Sequence, residues 1–412
     1  MPTSLSGAAW LEREETQAIF RALQAAGYEA RVVGGAVRNA LLGAPVSDVD
    51  IATPAKPDAV IEACNAAGLK CVPTGIDHGT VTVISGHMPF EVTTLREDVE
   101  TFGRHANVAF TADWAADARR RDFTMNALYC TAKGEVIDPV GGFADVMQRR
   151  VRFIGDAAER IREDYLRILR FFRFQAEYGR LAPDAEGFAA CVRERLGLTA
   201  LSAERIRAEL VKLLVAPRAV AAVESMCDAG LLSMLLGLAP RPTLLAAAVR
   251  IETELALPAD AMLRLSALAV AVEEDIDLIA DRLRLSNAER EQLSVIDRRA
   301  ASLARLEDRS ARRRLYQLGP ERWRRALLAA AVAEGTCAAD PAWRRLYTLS
   351  EHWQVPRFPL RGADALALGV EPGPAVGGLL QRLESWWMDE DFVPSEADLR
   401  ERLHQLVRER KA

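Results

Sequence analysis

Apolar and polar positions alternate in short runs through the first third of the chain, and after Gly142 the period changes to the roughly 3.6 residues of helices. Between Glu29 and Val136, the stretches 30–33, 49–52, 80–84, 90–94 and 127–131 are rich in β-branched residues and bounded by Gly, Pro and Asp, the punctuation of strands. Helical stretches separate them, so this part predicts an α+β or α/β unit. Beyond the turn-rich joint Asp138 to Gly142, apolar residues recur at helical spacing over 160–178, 202–215, 219–231, 259–272 and 278–296, which predicts an all-helical remainder. A second Gly- and Pro-dense stretch, 356–378, lies near the C-terminus.

Composition narrows the class. The 412 residues are enough for two or three domains of about 150 residues each. Half of them are hydrophobic and 27% charged, with a formal net charge of −5, the profile of an ordinary globular protein and not of a disordered or fibrous one. No apolar window approaches the roughly 18 residues of a membrane span, and the acidic N-terminal segment lacks the apolar core of a signal peptide, so a cytoplasmic protein is expected. Six scattered cysteines form no CxxC pair and read as reduced core thiols. The mild net acidity hides segregation: residues 297–325 hold ten arginines, among them Arg298, Arg299, Arg312, Arg313 and Arg314, against four acids. That run is either a surface for nucleic-acid phosphates or a solvated helical face.

The candidate chemistry lies in order along the first half. Arg31 to Gly43 reads as a strand entering Gly34-Gly35 and then a helix carrying Arg38. It is either a phosphate cradle of backbone N–H groups or a plain tight turn. Ser47-Asp48-Val49-Asp50-Ile51 follows, where strand geometry points both carboxylates one way. Such a pair either holds Mg²⁺ with phosphate oxygens or is a solvated strand end. Glu91, on another candidate strand, is a possible third carboxylate, an exposed residue or an ion-pair partner of Arg96. Arg119 to Asn126 is either a solvated basic face or a site that interleaves phosphate ligands, Arg121 among them, with Asp122 and Asn126, which suit a ribose. On a helix over 160–178, Asp164 and Arg167 are neighbours three apart and Arg170 and Arg173 continue the strip. A carboxylate beside a guanidinium accepts the amino edge of cytosine or adenine and refuses uracil and guanine, whose mismatched groups stay unpaired. The alternative is an intrahelical ladder in which Glu163 serves Arg167.

With these segments in order, the chain resembles the class II tRNA nucleotidyltransferases, or CCA-adding enzymes, and the related bacterial poly(A) polymerases. GGAVRNALLG, SDVDIAT, TGIDHGTVTV, FEVTTLR, RRDFTMNALY, IDPVGGFAD, REDYLRILRFFRF and LSAERIRAEL carry the resemblance from about residue 31 to 215. It implies an α+β protein with a polymerase β-type nucleotidyltransferase head and a small mixed sheet (1–142), a helical neck with a base-recognition helix (143–235), and a helical, RNA-binding body and tail (236–412).

By the same resemblance, Gly34, Gly35 and Arg38 hold the triphosphate, and Asp48 and Asp50 bind two Mg²⁺ ions. Arg121, Asp122 and Asn126 contact phosphate and ribose, while Asp164 and Arg167 read the base, with Arg170 and Arg173 supporting them or the triphosphate. Asp138 to Gly142 belongs to a flexible element, and Ser202, Glu204 and Arg205 steady a neck helix. The implied reaction adds C and A from CTP and ATP to the 3′ end of tRNA, gripped by its acceptor arm, with no protein partner expected. Addition of A or CC alone and poly(A) synthesis are the nearer alternatives, and a non-catalytic RNA-binding protein the remote one. TGIDHGT favours the tRNA enzymes over the polymerases. Many members of the family carry Asp after the GGxVR arginine, where this chain has Asn39, which keeps hydrogen-bonding capacity and loses a charge.

Overall fold

The computed structural model describes residues 4–102, 105–294 and 306–411. The chain divides into two compact units, Met1–Ala239 and Pro240–Ala412. The first carries a seven-stranded mixed sheet built from β1 (Arg31–Val33), β2 (Asp50–Thr53), β3 (Lys70–Gly75), β4 (Thr80–Ser85), β5 (Met88–Thr94), β8 (Tyr129–Thr131) and β9 (Val136–Ile137). Their order is β3-β4-β5-β2-β1-β8-β9. Only the β2–β5 pairing is parallel. A separate antiparallel hairpin joins β6 (Arg96–Phe102) and β7 (His105–Phe110). The five strands expected from the pattern are present; β3, β9 and the hairpin are additions.

Helices make up the rest of the first unit, and one aromatic cluster seats them on the sheet. Phe123, beside the last sheet strands, packs on Phe153 at 5.0 Å and on Phe174 at 5.1 Å between ring centroids, while Phe153 stacks on Phe171 at 5.5 Å. Phe123, Phe171 and Phe172 are wholly buried. Rings of this size dominate local packing energy, so they fix helix Leu166–Glu177 against the segment 122–126.

Two expected helices of the first unit are divided. The stretch 160–178 is broken at Asp164, whose extended backbone (φ −153°, ψ 105°) separates helices Ala157–Glu163 and Leu166–Glu177. The stretch 219–231 ends as Ala219–Asp228, and Leu231–Leu236 follows a left-handed Gly230.

The second unit is helical throughout its described residues. Trp323 and Trp343 are wholly buried in its core, and their indole N–H groups donate to the carbonyls of Leu346 and Leu327, each at 3.0 Å. A second cluster gathers Leu379, Leu383, Trp387, Leu399 and Leu403. In place of the helix expected over 278–296 stand Glu273–Leu283 and Asn287–Ser294, parted by Arg284 at φ 51°. Among the described residues no helix is long and apolar enough to cross a membrane. All described cysteines are free, with Cys64, Cys130 and Cys191 buried.

Candidate active site

β1 delivers the chain into Gly34, whose φ of 74° and ψ of −120° suit a residue without Cβ, and helix Gly35–Leu41 begins at once. A Cβ on Gly34 would stand 3.7 Å from the Arg121 guanidinium, and one on Gly35 would stand 3.8 Å from that of Arg38. Two cations therefore overlook the glycine pair. Across the sheet, Val33 pairs with Asp50. On the other side β2 runs parallel to β5 with Ile51 opposite Val92, which brings Asp50 beside Glu91. Asp48 lies just before β2, exposed, and Val49 between the two acids is buried, so the alternation expected of the pair holds although only Asp50 is in the strand.

Burial, then the negative charge of Glu91, push the Asp50 carboxyl up to about 6; Asp48 adds to this and Arg121 opposes it. Neighbouring acids raise the proton affinity of a partly buried carboxylate such as Asp50 unless a cation joins them. That donor set fits a hard divalent ion. Among the described residues no three His, Cys, Asp or Glu side chains gather as a metal site; Mg²⁺ needs only one or two carboxylates, with water and phosphate oxygens completing its sphere. Arg96, the alternative ion-pair partner for Glu91, donates to the carbonyl of His78.

Behind the glycines runs a relay of charged side chains. Arg38 donates to Oδ1 of Asn126, whose Nδ2 donates to Asp122 at 2.9 Å. Arg170 donates its Nε to the other Asp122 oxygen at 2.8 Å and its Nη1 lies 3.7 Å from Glu209, which also takes Arg173. Burial would raise the Asp122 carboxyl, but Arg170 and the Asn126 amide hold it below its ordinary value. Arg121 is anchored separately: its Nη2 lies 3.0 Å from Asp117, which also accepts from Tyr129 at 2.7 Å. Against the cost of burial, Arg121 and Arg120 keep Asp117 charged, with its carboxyl down at about 2. The Arg121 Nε is buried and without a hydrogen-bond partner.

The Asp164–Arg167 pair needs correction as a helical i,i+3 contact, because the helix stops between them. Asp164 accepts from the Leu166 N–H at 3.1 Å through Oδ1 and from Arg205 at 2.7 Å through Oδ2, so it acts as the cap of the following helix. Arg167 is bonded to Glu163 and to the carbonyl of Arg160 at 2.6 Å. Glu163 is also paired with Arg160. The Glu163 partner foreseen as the alternative for Arg167 is thus present, but it bridges the break between two helices and is not the intrahelical contact expected.

Asp138 accepts from the N–H groups of Gly142 and Phe143 at 2.8 and 2.9 Å and caps helix Gly142–Gln148. Ser202 precedes helix Ala203–Val215 without a side-chain capping bond. Asp117, Tyr178 and Glu209 are site residues that the motifs did not single out. Glu209 carried a signal: it sits on the core-facing stripe with Leu210 and Leu213, an acid at an apolar position. Of the arginine run, Arg298 and Arg299 lie outside the described residues. In the second unit Arg312 pairs with Asp391 and Arg313 with Asp389, both partly exposed, and Arg314 is on the same helix, Asp308–Leu318.

Comparisons with known proteins bear on this geometry. Residues 30–152 match the family described as Poly A polymerase head domain, and residues 181–242 the one described as probable RNA and SrmB-binding site of polymerase A. The chain is 35% identical over 371 residues to the mitochondrial CCA tRNA nucleotidyltransferase 1 of Mus musculus, covering 87% of this chain and 83% of that protein. It is 42% identical over 229 residues to the CCA-adding enzyme of Geobacillus stearothermophilus, 55% of each chain. The crystal structure of the Bacillus stearothermophilus CCA-adding enzyme in complex with CTP superposes with a TM-score of 0.77 at 29% identity, over 97% of this chain and 98% of that one. A Thermotoga maritima CCA-adding enzyme complexed with tRNA shares the fold, with a TM-score of 0.66 at 20% identity over 94% of both chains.

Proposed function

Since the chain belongs to the CCA tRNA nucleotidyltransferases, we propose that its glycine pair, its three crowded carboxylates and its buried arginines together add C and A nucleotides to the 3′ end of tRNA. CTP and ATP are the donors and pyrophosphate leaves. The observation that carries this reading is Asp50, set between Glu91 and Asp48 and opposite the strand that runs into Gly34, with its carboxyl raised by burial and by their charge.

Enzymes of this class work with divalent metal, and Asp48 and Asp50 would hold two Mg²⁺ ions, with Glu91 beside them. When bound, such ions supply acidity to an attacking hydroxyl and neutralise charge on a departing pyrophosphate. The chain's own groups do the positioning. Gly34 and Gly35 let the triphosphate approach the backbone, and Arg38 and Arg121 face it from above the turn. Asp122 and Asn126, locked by Arg170 and Arg38, are set to meet the sugar. Asp164 and Arg167 read the base, the first oriented by Arg205 and the second by Glu163. Arg173 acts at one remove, through Glu209 and Arg170. The second unit's arginines, including Arg298, Arg299, Arg312, Arg313 and Arg314, contact RNA phosphates, which report shape and not sequence.

The test is extension of tRNA that lacks its last three nucleotides, or ends in C or CC, with Mg²⁺ and labelled CTP or ATP. Full CCA addition requires C on the first two substrates and a single A on the third. Growth of a long A tract, or extension of only one class of end, contradicts the reading. For the base readers, Arg167→Ala is expected to relax discrimination against UTP and GTP by about tenfold or more; unaltered selectivity removes Arg167 from that role.

A further inference from the structure

Each of Arg121, Arg167, Arg170, Arg173 and Arg205 is paired with a carboxylate. Arg38, only 6% exposed, differs. Its guanidinium donates to Oδ1 of Asn126, to Oδ1 of Asn39 at 2.9 and 3.1 Å, and to the Tyr178 hydroxyl at 2.7 Å. It also lies 4.0 Å from the centre of the Tyr178 ring. All these partners are neutral. The carboxylate nearest along the relay, Asp122, stands behind Asn126 and is taken up by Arg170.

The donors and acceptors around Asn39 fix its orientation. Arg38 only donates and the Pro45 carbonyl only accepts, so Oδ1 faces Arg38 while Nδ2 donates to Pro45 at 3.0 Å. The backbone carbonyl of Asn39 also accepts from Ala44 at 2.8 Å. An aspartate here would neutralise Arg38 and set an oxygen against the Pro45 carbonyl. Asp122 and Glu177 lie near enough to favour the Arg38 charge, but neither is bonded to it, so this buried guanidinium keeps an attraction for an arriving anion that a directly paired one would have spent.

We propose that Asn39 is a positioning residue that keeps Arg38 unneutralised, and that this unmatched buried cation sets how tightly the chain holds the triphosphate tail shared by CTP and ATP. The inference rests on the reading of Arg38 as a triphosphate ligand. It gives Asn39 a role through charge and not through the base, so both nucleotides respond alike.

Calorimetric titration of the full chain with inorganic triphosphate and with CTP, in Mg²⁺, tests it beside steady-state kinetics. Asn39→Asp is expected to weaken both ligands roughly tenfold and to raise KM for CTP and ATP by the same factor, with kcat within about twofold. Asn39→Ala loses the bonds to both Arg38 and Pro45 without adding charge and is expected to stay within about threefold of the parent. Equal weakening by the two variants shows a merely structural role and overturns the inference, as does parent-like binding by Asn39→Asp. Arg38→Gln separates the levels. If it loses triphosphate binding while Asn39→Asp does not, only the inference falls; if it binds normally, the reading of Arg38 falls and takes the inference with it.

Discussion

Two sets of arginines are spent differently, those of the candidate site in the first unit and those of the arginine-rich stretch in the second. In the first, Arg121, Arg167, Arg170 and Arg173 are largely buried, and each is held by an acid from another segment or another turn, so the guanidinium positions are set to within a hydrogen bond. In the second, Arg313 and Arg322 pair with Asp389 and Glu291 while both members of each pair stay exposed. The same residue is a precise fixture when dry and a loosely held charge when wet, because desolvation makes an unmet bond costly and water makes it cheap. Reacting atoms need the first arrangement; contact with an RNA backbone tolerates the second.

The contrast is most sharply broken at the corner where acids are left to repel. Asp50→Asn is expected to reduce nucleotide addition by at least about 10³-fold while the chain stays folded. Extension assays with circular dichroism measure both, and an active variant would remove Asp50 from the reaction. Next in size is Arg170→Ala, which leaves Asp122 without its charged partner in a largely dry setting. A loss of about 3 kcal/mol is expected, a fall of roughly 6–10 °C in the melting of the first unit. A melt indistinguishable from the parent's would show that the relay contributes no rigidity.

Asp50 also predicts a pH dependence. Its carboxyl, ordinarily at 3.8, stands at about 6 in the folded chain, so the folded state holds that proton more tightly than the unfolded one. The stability this confers is fully present below 3.8 and is lost as pH rises through about 6. With a chelator present, the parent should lose about 2 kcal/mol between pH 4 and 7 relative to Asp50→Asn. Denaturation curves at each pH check this, and parallel profiles for the two proteins contradict it. The smallest effect belongs to the second unit: Arg313→Ala should change stability by less than about 0.5 kcal/mol, while tRNA affinity falls a few-fold and its salt dependence becomes shallower by about one ion. A large drop in melting temperature would place Arg313 among the fixtures and erase the contrast.

Much of this architecture is legible in the chain itself, and the exceptions have physical causes. β1, β2, β4, β5 and β8 show as β-branched runs, and Asp50 and Glu91 fall on two of them that lie side by side. β3 is hidden because it lies at the sheet edge, carries Pro73 and alternates poorly between exposed and half-buried positions. The hairpin Arg96–Phe110 is rich in charge and packs as a separate sheet, so hydropathy does not mark it. Asp164 is harder to see: apolar periodicity continues across it, and only its capacity to cap Leu166 announces the break. Asp117 gives no periodic signal at all. Its role depends on Arg120, Arg121 and Tyr129 folding around it.

Gly142 offers no room for even a methyl group, since a Cβ there would come within 2.0 Å of the Thr124 carbonyl. Thr124 opens the same 3-10 turn that ends in Asn126, the residue bonded to Arg38. The start of helix Gly142–Gln148 is therefore clasped to the turn Thr124–Asn126 like a bolt in its keeper. Any tilt of helix Gly142–Gln148 must drag that turn along, so a change of shape at the joint is delivered, without slack, to the guanidinium above the glycines.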